Sequence, residues 1–364
     1  MPDTSKKTNL LNLTPAAARE ELERFLARIG QPAYRARQIV KHLWQNPAAS
    51  FMAMTDLPLN LREQLDGAYT LPRLEIAARQ KSSDGTEKFL FKLFDNEGIE
   101  TVAIPEGDRV TLCISSQAGC ALQCAFCATG AMGFTRNLTM FEIAGQVREM
   151  RMLADGPINI TNVVFMGMGE PLMNWKSVDA TLTTLNDPAG LGIGARHITI
   201  STVGVLPGIV ALGERPEQFR LAISIHAPND GLRQELMPIN TKFPLAQVIE
   251  AAKVFDRRVT FEYVMLGGVN DGEEHAIQLA NLARDCKAFV NLIPLHPGGA
   301  QGFTPSPTER IIKFARWLKK AGVEVAVRKS RGIDIAAACG QLRVERLSRR
   351  APARANRDGD IQVA

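Results

Sequence analysis

The chain has 364 residues, 45% hydrophobic and 22% charged, with a formal net charge of +5 at pH 7: the length of one large domain plus a smaller one, with ordinary globular composition. No apolar run approaches the roughly eighteen residues of a membrane-spanning helix, and Met1-Pro2-Asp3-Thr4-Ser5-Lys6-Lys7 has no apolar signal core, so a cytoplasmic location without membrane contact is expected. Six cysteines are too few for a disulfide scaffold.

Residues 1–86 are expected to form a small helical domain. Thr14-Pro15 supplies an N-cap and first-turn proline, and Leu22, Phe25, Leu26 and Ile29 recur at helical spacing until Gly30. A second helix is expected over Pro32–Trp44, with Ile39, Val40, Leu43 and Trp44 on its apolar face and Arg35, Arg37 and Lys41 elsewhere. Such an Arg-rich unit suits either RNA contact or a structural cap.

From Lys88 the pattern changes to short strands at 89–94, 99–104 and 109–115, separated by Asn96-Glu97-Gly98 and Pro105-Glu106-Gly107 turns. Six further strands, at 158–165, 197–202, 219–226, 259–265, 289–295 and 323–327, alternate with amphipathic stretches such as 140–153, 245–255, 273–285 and 308–321. That alternation predicts an α/β fold: a parallel sheet flanked by helices, closer to a partial barrel than to a full eight-stranded one. Residues 87–347 are assigned to this unit. Residues 348–364 are expected to be a disordered basic tail, part of an Arg-rich stretch that begins at Arg343.

The most specific feature is Gly119-Cys120-Ala121-Leu122-Gln123-Cys124-Ala125-Phe126-Cys127. Three thiolates on one tight loop suit a soft metal centre. Zinc would want a fourth ligand from a second Cys or His pair, and none follows at a suitable spacing. A three-cysteine cubane instead leaves one iron open for a substrate. The spacing resembles the CxxxCxxC signature of the radical-SAM superfamily, including the aromatic Phe126 before the third cysteine. The resemblance implies a partial (β/α)6 barrel and a [4Fe-4S] cluster on Cys120, Cys124 and Cys127. The reduced cluster would pass one electron to S-adenosylmethionine, releasing methionine and a 5′-deoxyadenosyl radical.

Downstream, Met166-Gly167-Met168-Gly169-Glu170-Pro171 follows a strand, where glycines permit close backbone approach. It resembles the superfamily motif that grips the methionine amine, which makes Gly169 and Glu170 candidate ligands. Ser201 and Ser224-Ile225-His226 close the next two strands, at the barrel end where ligand contacts are expected.

Two remote cysteines narrow the reading. Cys113 lies in Leu112-Cys113-Ile114-Ser115, and Cys339 in Ala337-Ala338-Cys339-Gly340, after Arg328-Lys329-Ser330-Arg331-Gly332, whose basic residues could favour a thiolate. Cys286 reads as a small buried hydrophobe. Together with Gly194–Thr202 and Leu221–Asn240, these stretches resemble the RlmN family, dual-specificity rRNA and tRNA adenine methyltransferases, over roughly Leu10 to Leu347.

What the resemblance implies is specific. Cys339 takes a methyl group from one S-adenosylmethionine, and a second is cleaved to activate that group, so two are used per turnover. The carbon adds to adenine carbon 2, Glu100 accepts the proton lost there, and Cys113 releases the product by forming a disulfide with Cys339. The targets are an adenosine in the peptidyl-transferase region of 23S rRNA and the adenosine beside the anticodon in some tRNAs. A one-electron donor such as flavodoxin and a monomeric enzyme are expected. His296 stands where the family usually places an asparagine that contacts S-adenosylmethionine; imidazole also donates and accepts hydrogen bonds. The competing readings are a Cfr-type enzyme acting on carbon 8 and a non-catalytic iron–sulfur RNA-binding protein. The latter would have no use for Cys339.

Overall fold

The computed structural model describes residues 7–296, 302–338 and 340–342. Cys339 and the whole of the expected tail, 348–364, lie outside the described residues.

Three helices come first: α1 (Pro15–Arg28), α2 (Tyr34–Trp44) and α3 (Leu59–Ala68). The Thr14 hydroxyl accepts a hydrogen bond from Ala17 N, the N-cap expected from the Thr-Pro pair. Leu22, Leu26, Ile39, Leu43 and Trp44 are all buried between them, so the helical periodicity marks the packed face.

A ten-stranded sheet follows. Its strands are β1 (Glu75–Lys81), β2 (Glu87–Lys92), β3 (Gly98–Glu106), β4 (Arg109–Cys113), β5 (Asn162–Phe165), β6 (Ile198–Thr202), β7 (Arg220–Ser224), β8 (Val259–Met265), β9 (Phe289–Pro294) and β10 (Val325–Val327). They lie in the sheet in sequence order. The first four form an antiparallel meander, and from β4 onward each neighbour is parallel. The parallel connections carry helices α4 (Met140–Met150), α5 (Trp175–Asn186), α6 (Leu206–Gly213), α7 (Leu245–Val254), α8 (Glu273–Asp285) and α9 (Thr308–Lys320). Parallel strands need such crossovers, and their covered faces explain why Ile200, Ile223, Phe261 and Val290 are fully buried.

Helix α4 ties the layers together. A capping box between Thr139 and Glu142 starts it. Its buried Gln146 amide accepts from Ser115 N (2.8 Å) and Thr101 Oγ1 (2.7 Å) while donating to Ser115 O (2.8 Å). That fixes the chain as it leaves β4 for the cysteine loop. Two residues on, Arg148 donates to Leu43 O at 2.8 Å and Ala48 O at 2.6 Å, keying the N-terminal helices onto the barrel.

Candidate active site

The cysteine loop is held from several sides. Gln117–Gly119 pairs antiparallel with Phe134–Asn137 just before Cys120. Cys120 N donates to Gly133 O (2.8 Å), Ala125 N to Leu236 O (2.9 Å) and Ala128 N to Gly340 O (2.8 Å). Gly119 has φ +74, and a Cβ there would stand 2.0 Å from Gly133 O, so only glycine fits this approach. The Phe126 ring packs edge-on against His226 at 4.6 Å between centroids.

Cys120, Cys124 and Cys127 line one cavity of about 160 Å³ at the C-terminal ends of the parallel strands. Gly169, Glu170, Ser201, Ser224 and His226 line the same cavity. Ile225 is fully buried beside it and donates its backbone N–H to Glu262 O at 3.1 Å. Eight of the expected ligand residues thus converge although they come from four separate strand ends and loops.

Gly169 does a job the sequence did not suggest. Its φ is +94, and a Cβ would meet Gln117 Cβ at 2.4 Å and Gln117 N at 2.8 Å. The glycine therefore lets this loop pack against the segment leading to the cysteines. Glu170 is completely enclosed. One carboxylate oxygen accepts from Leu172 N (3.0 Å), the other from Val203 N (2.9 Å), and burial raises its pKa to about 7 against those bonds. Burial likewise pushes the Cys120 thiol up to about 11 and the Cys124 thiol higher still, with Cys127 and Cys120 adding to the latter. Arg233 opposes the rise at Cys124 without cancelling it. The donor set fits a soft, positively charged centre beside an ammonium group. Among the described residues no three His, Cys, Asp or Glu side chains meet as a single-ion site.

His226 has φ +53 and accepts from Val264 N at Nδ1 (3.0 Å), which leaves its proton on Nε2. Burial, with Arg233 nearby, drops its pKa to about 3, so the ring is neutral.

Glu262 and Asn291 carry no role in the sequence reading, and Arg328 enters it only as one of the basic residues before Cys339. Glu262 lines the cavity, is raised in pKa by burial, and accepts from Asn291 Nδ2 at 2.8 Å. Strand register assembles this row: Ser224 pairs with Glu262, and Glu262 with Asn291. The signal available was one acid inside the apolar run Val259-Thr260-Phe261-Glu262-Tyr263-Val264.

Cys113, Glu100 and His296 are not among the residues that line the thiol cavity. Cys113 ends β4, buried, opposite Val102. Glu100 is buried on β3, 3.0 Å from Lys88 Nζ. His296 lines a second cavity, not the first, and its Nε2 contacts Ser330 Oγ. Cys339 lies outside the described residues; its neighbour Gly340 lines the thiol cavity, and Ala338 lines the second one. Cys286 caps the end of α8, half-buried, with its thiol toward Ile249 O.

Residues 114–280 match the radical SAM superfamily, and residues 8–70 match the ribosomal RNA large subunit methyltransferase N-terminal domain. A Gemmatimonas aurantiaca protein named "Probable dual-specificity RNA methyltransferase RlmN" is 68% identical, with 98% of this chain and 99% of that one covered. The chain belongs to the RlmN family. A Marinomonas member, "Dual-specificity RNA methyltransferase RlmN", is 45% identical with 93% of each chain covered. The crystal structure of a radical SAM methyltransferase from Sphaerobacter thermophilus superposes with a TM-score of 0.86 at 44% identity, covering 92% of this chain and 99% of that one.

Membership in the RlmN family makes the chain an S-adenosylmethionine-dependent RNA methyltransferase, and the superfamily carries an iron–sulfur cluster. The α/β fold with a radical SAM barrel and an N-terminal RlmN domain agrees with the sequence expectation. The superfamily match spans the three cysteines and the Gly169-Glu170, Ser201 and Ser224–His226 positions. It leaves out Glu100, Cys113, His296 and Cys339. No described helix is long and apolar enough to cross a membrane.

Proposed function

We propose that this enzyme methylates carbon 2 of an adenosine in the peptidyl-transferase region of 23S rRNA, and of the adenosine beside the anticodon in some tRNAs. The observation that carries the reading is the cavity that collects three thiols and Glu170, with Gly340, next in sequence to Cys339, in its wall. A [4Fe-4S] cluster on Cys120, Cys124 and Cys127 would supply the electron that opens the sulfonium of S-adenosylmethionine.

The chain's own groups do the rest. Glu170, with both oxygens already fixed by backbone N–H groups, presents a rigid carboxylate to the ammonium of the methionine moiety. An ammonium there reverses the cost of ionising a buried acid. Ser201, Ser224 and the protonated Nε2 of His226 supply polar contacts along the rest of the cavity. Cys339 is assigned the methyl group, two S-adenosylmethionine molecules being used per turnover. A thiolate is nucleophilic enough to take a methyl from a sulfonium, which the electron-poor adenine carbon 2 is not. Glu100, a buried carboxylate beside Lys88, is assigned the proton lost from carbon 2. Cys113 is assigned the attack on the Cys339 sulfur that frees the product. Two sulfurs are oxidised to one disulfide in that step, so the enzyme needs reduction before its next cycle. His296, which lines the adjoining cavity, is assigned a polar contact to S-adenosylmethionine.

RNA contact by the N-terminal helices, a flavodoxin-like electron donor, a monomeric state and a cytoplasmic location complete the proposal. The test is anaerobic reconstitution with labelled S-adenosylmethionine, a reductant and unmodified 23S rRNA fragment, followed by mass spectrometry of the nucleosides. 2-Methyladenosine is expected from the wild type and none from Cys339→Ala. 8-Methyladenosine would overturn the carbon assignment, and unmodified RNA would overturn the substrate.

A further inference from the structure

A second cavity of about 390 Å³ shares Ile293 and Arg328 with the thiol cavity. Ile104, Ile293 and Val327 give it an apolar wall, and Arg328, Lys329 and Arg331 give it a cationic rim. Ala337 and Ala338, the two residues before Cys339, close another side.

Its charge is unbalanced. Among the described residues neither Lys329 nor Arg331 stands in an ion pair, and the cavity's one carboxylate, Glu106, is engaged by Arg109. His296 adds no charge to the rim, since burial lowers its pKa and Ser330 Oγ occupies its Nε2. Lys329 and Arg331, two positions apart, repel one another. Holding them around a concave, partly apolar site is favourable once an anion enters. The geometry points to a polyanion with a flat apolar part, which is the chemistry of a nucleotide within RNA.

We propose that this cavity binds a phosphodiester of the RNA next to the adenosine being modified, gripped by Lys329 and Arg331 and positioned against Ala337 and Ala338. The proposal rests on the RNA-methylation reading above and deepens it by assigning the groups that place the substrate. It differs from the role the sequence suggests for these cations, which is to favour the Cys339 thiolate.

The test compares full-length wild type, Lys329→Gln/Arg331→Gln, and Lys319→Gln/Lys320→Gln at the exposed end of α9, for binding a 23S rRNA fragment over a range of salt concentrations. Each lost phosphate contact flattens the plot of log K against log salt by about 0.7–0.9. The Lys329/Arg331 variant is expected to bind more weakly with a slope flatter by about 1.4–1.8, and the α9 variant to keep the wild-type slope. Lys329→Arg/Arg331→Lys should restore the slope, which separates phosphate binding from misfolding. An unchanged slope, or equal flattening in both glutamine variants, overturns the proposal. So does normal RNA binding combined with lost methyl transfer to Cys339, the signature of thiolate activation. Failure of the wild type itself to bind and methylate the fragment would instead sink the underlying function.

Discussion

Glu170 is where the ligand requirement is most visible at the scale of one residue. A carboxyl normally near 4.5 is held at about 7 by burial, so the folded, ligand-free chain keeps its proton where the unfolded chain has lost it. Between pH 4.5 and 7 the folded state binds more protons, and its stability falls as pH rises through that window. His226 has the opposite sign. Its pKa drops from 6.5 to about 3, so its contribution weakens as pH falls below 6.5. The difference between wild type and Glu170→Gln isolates the carboxylate. In the chain without cluster or ligand, the melting temperature of the wild type relative to Glu170→Gln is expected to decline from pH 5 to pH 7 and then level off. Added S-adenosylmethionine should raise the wild-type melting temperature more at pH 8 than at pH 5.5, and should have little effect on the variant. Parallel pH profiles for the two proteins would contradict the assignment. Glycine gives a second contrast at this scale. Gly169→Ala and Gly268→Ala both place alanine at positive φ, at about 1–2 kcal/mol, but only Gly169 also has Gln117 in the way; around Gly268 nothing lies within 4 Å. Gly169→Ala should therefore lose about 1–3 kcal/mol more in denaturant melts, and equal losses would mean that the loop relaxes freely.

Among the elements, the turn between β1 and β2 clasps the segment that leads to Cys339. Asp84 accepts from Gly332 N at 3.0 Å and from Thr86 N at 2.9 Å, Asp334 receives Ser82 Oγ and Ser83 N, and Lys88 Nζ reaches Ala336 O at 3.3 Å. Asp84→Ala is expected to cost about 1–2 kcal/mol, to speed amide exchange over Gly332–Ala338, and to slow RNA methylation about tenfold while S-adenosylmethionine binding holds. Unchanged exchange there would remove the clasp from the account. The same turn shows what the sequence could and could not reveal. Strands β2 to β10 were legible because half-buried or fully buried strands carry an apolar pattern, and α8 because periodicity and length agree. Strand β1 was not: Glu75-Ile76-Ala77-Ala78-Arg79-Gln80-Lys81 is an edge strand with only Ile76 half-buried, so nothing alternates. The cysteine loop was legible because its three thiols are close in sequence. Glu262 and Asn291 were not, because the register between β8 and β9 brings them together. The clasp joins residues some 250 positions apart, and short polar turns carry no mark of such a partner.

At the scale of the molecule, the N-terminal helices must be held rigidly if they are to present RNA to a cavity on the barrel. The attachment runs through the last turns of α4. Arg148 is fully buried, and burial drops its guanidinium pKa to about 10. Its donations to Leu43 O and Ala48 O satisfy carbonyls at the end of α2 and in the following loop, where the helix has no amides left to offer. Glu149 beside it accepts from Arg73 Nη2 at 2.6 Å and from Leu74 N at 3.3 Å, pinning the linker between α3 and β1. A buried charge with poor alternatives is costly to disturb. Arg148→Leu strands two carbonyls and removes one of the two cations beside Glu149, Arg73 remaining, at about 3–5 kcal/mol. That loss is expected to fall on the attachment, where both carbonyls that Arg148 satisfies lie. Calorimetry should therefore resolve an early transition for the N-terminal helices ahead of the barrel, in place of one shared transition in the wild type. Cluster incorporation, read by visible absorption, should survive in the variant while RNA affinity falls. A single transition merely shifted to lower temperature would mean that the helices and the barrel fold as one cooperative unit whatever Arg148 contributes, and rigid presentation of RNA would then have to come from the whole interface.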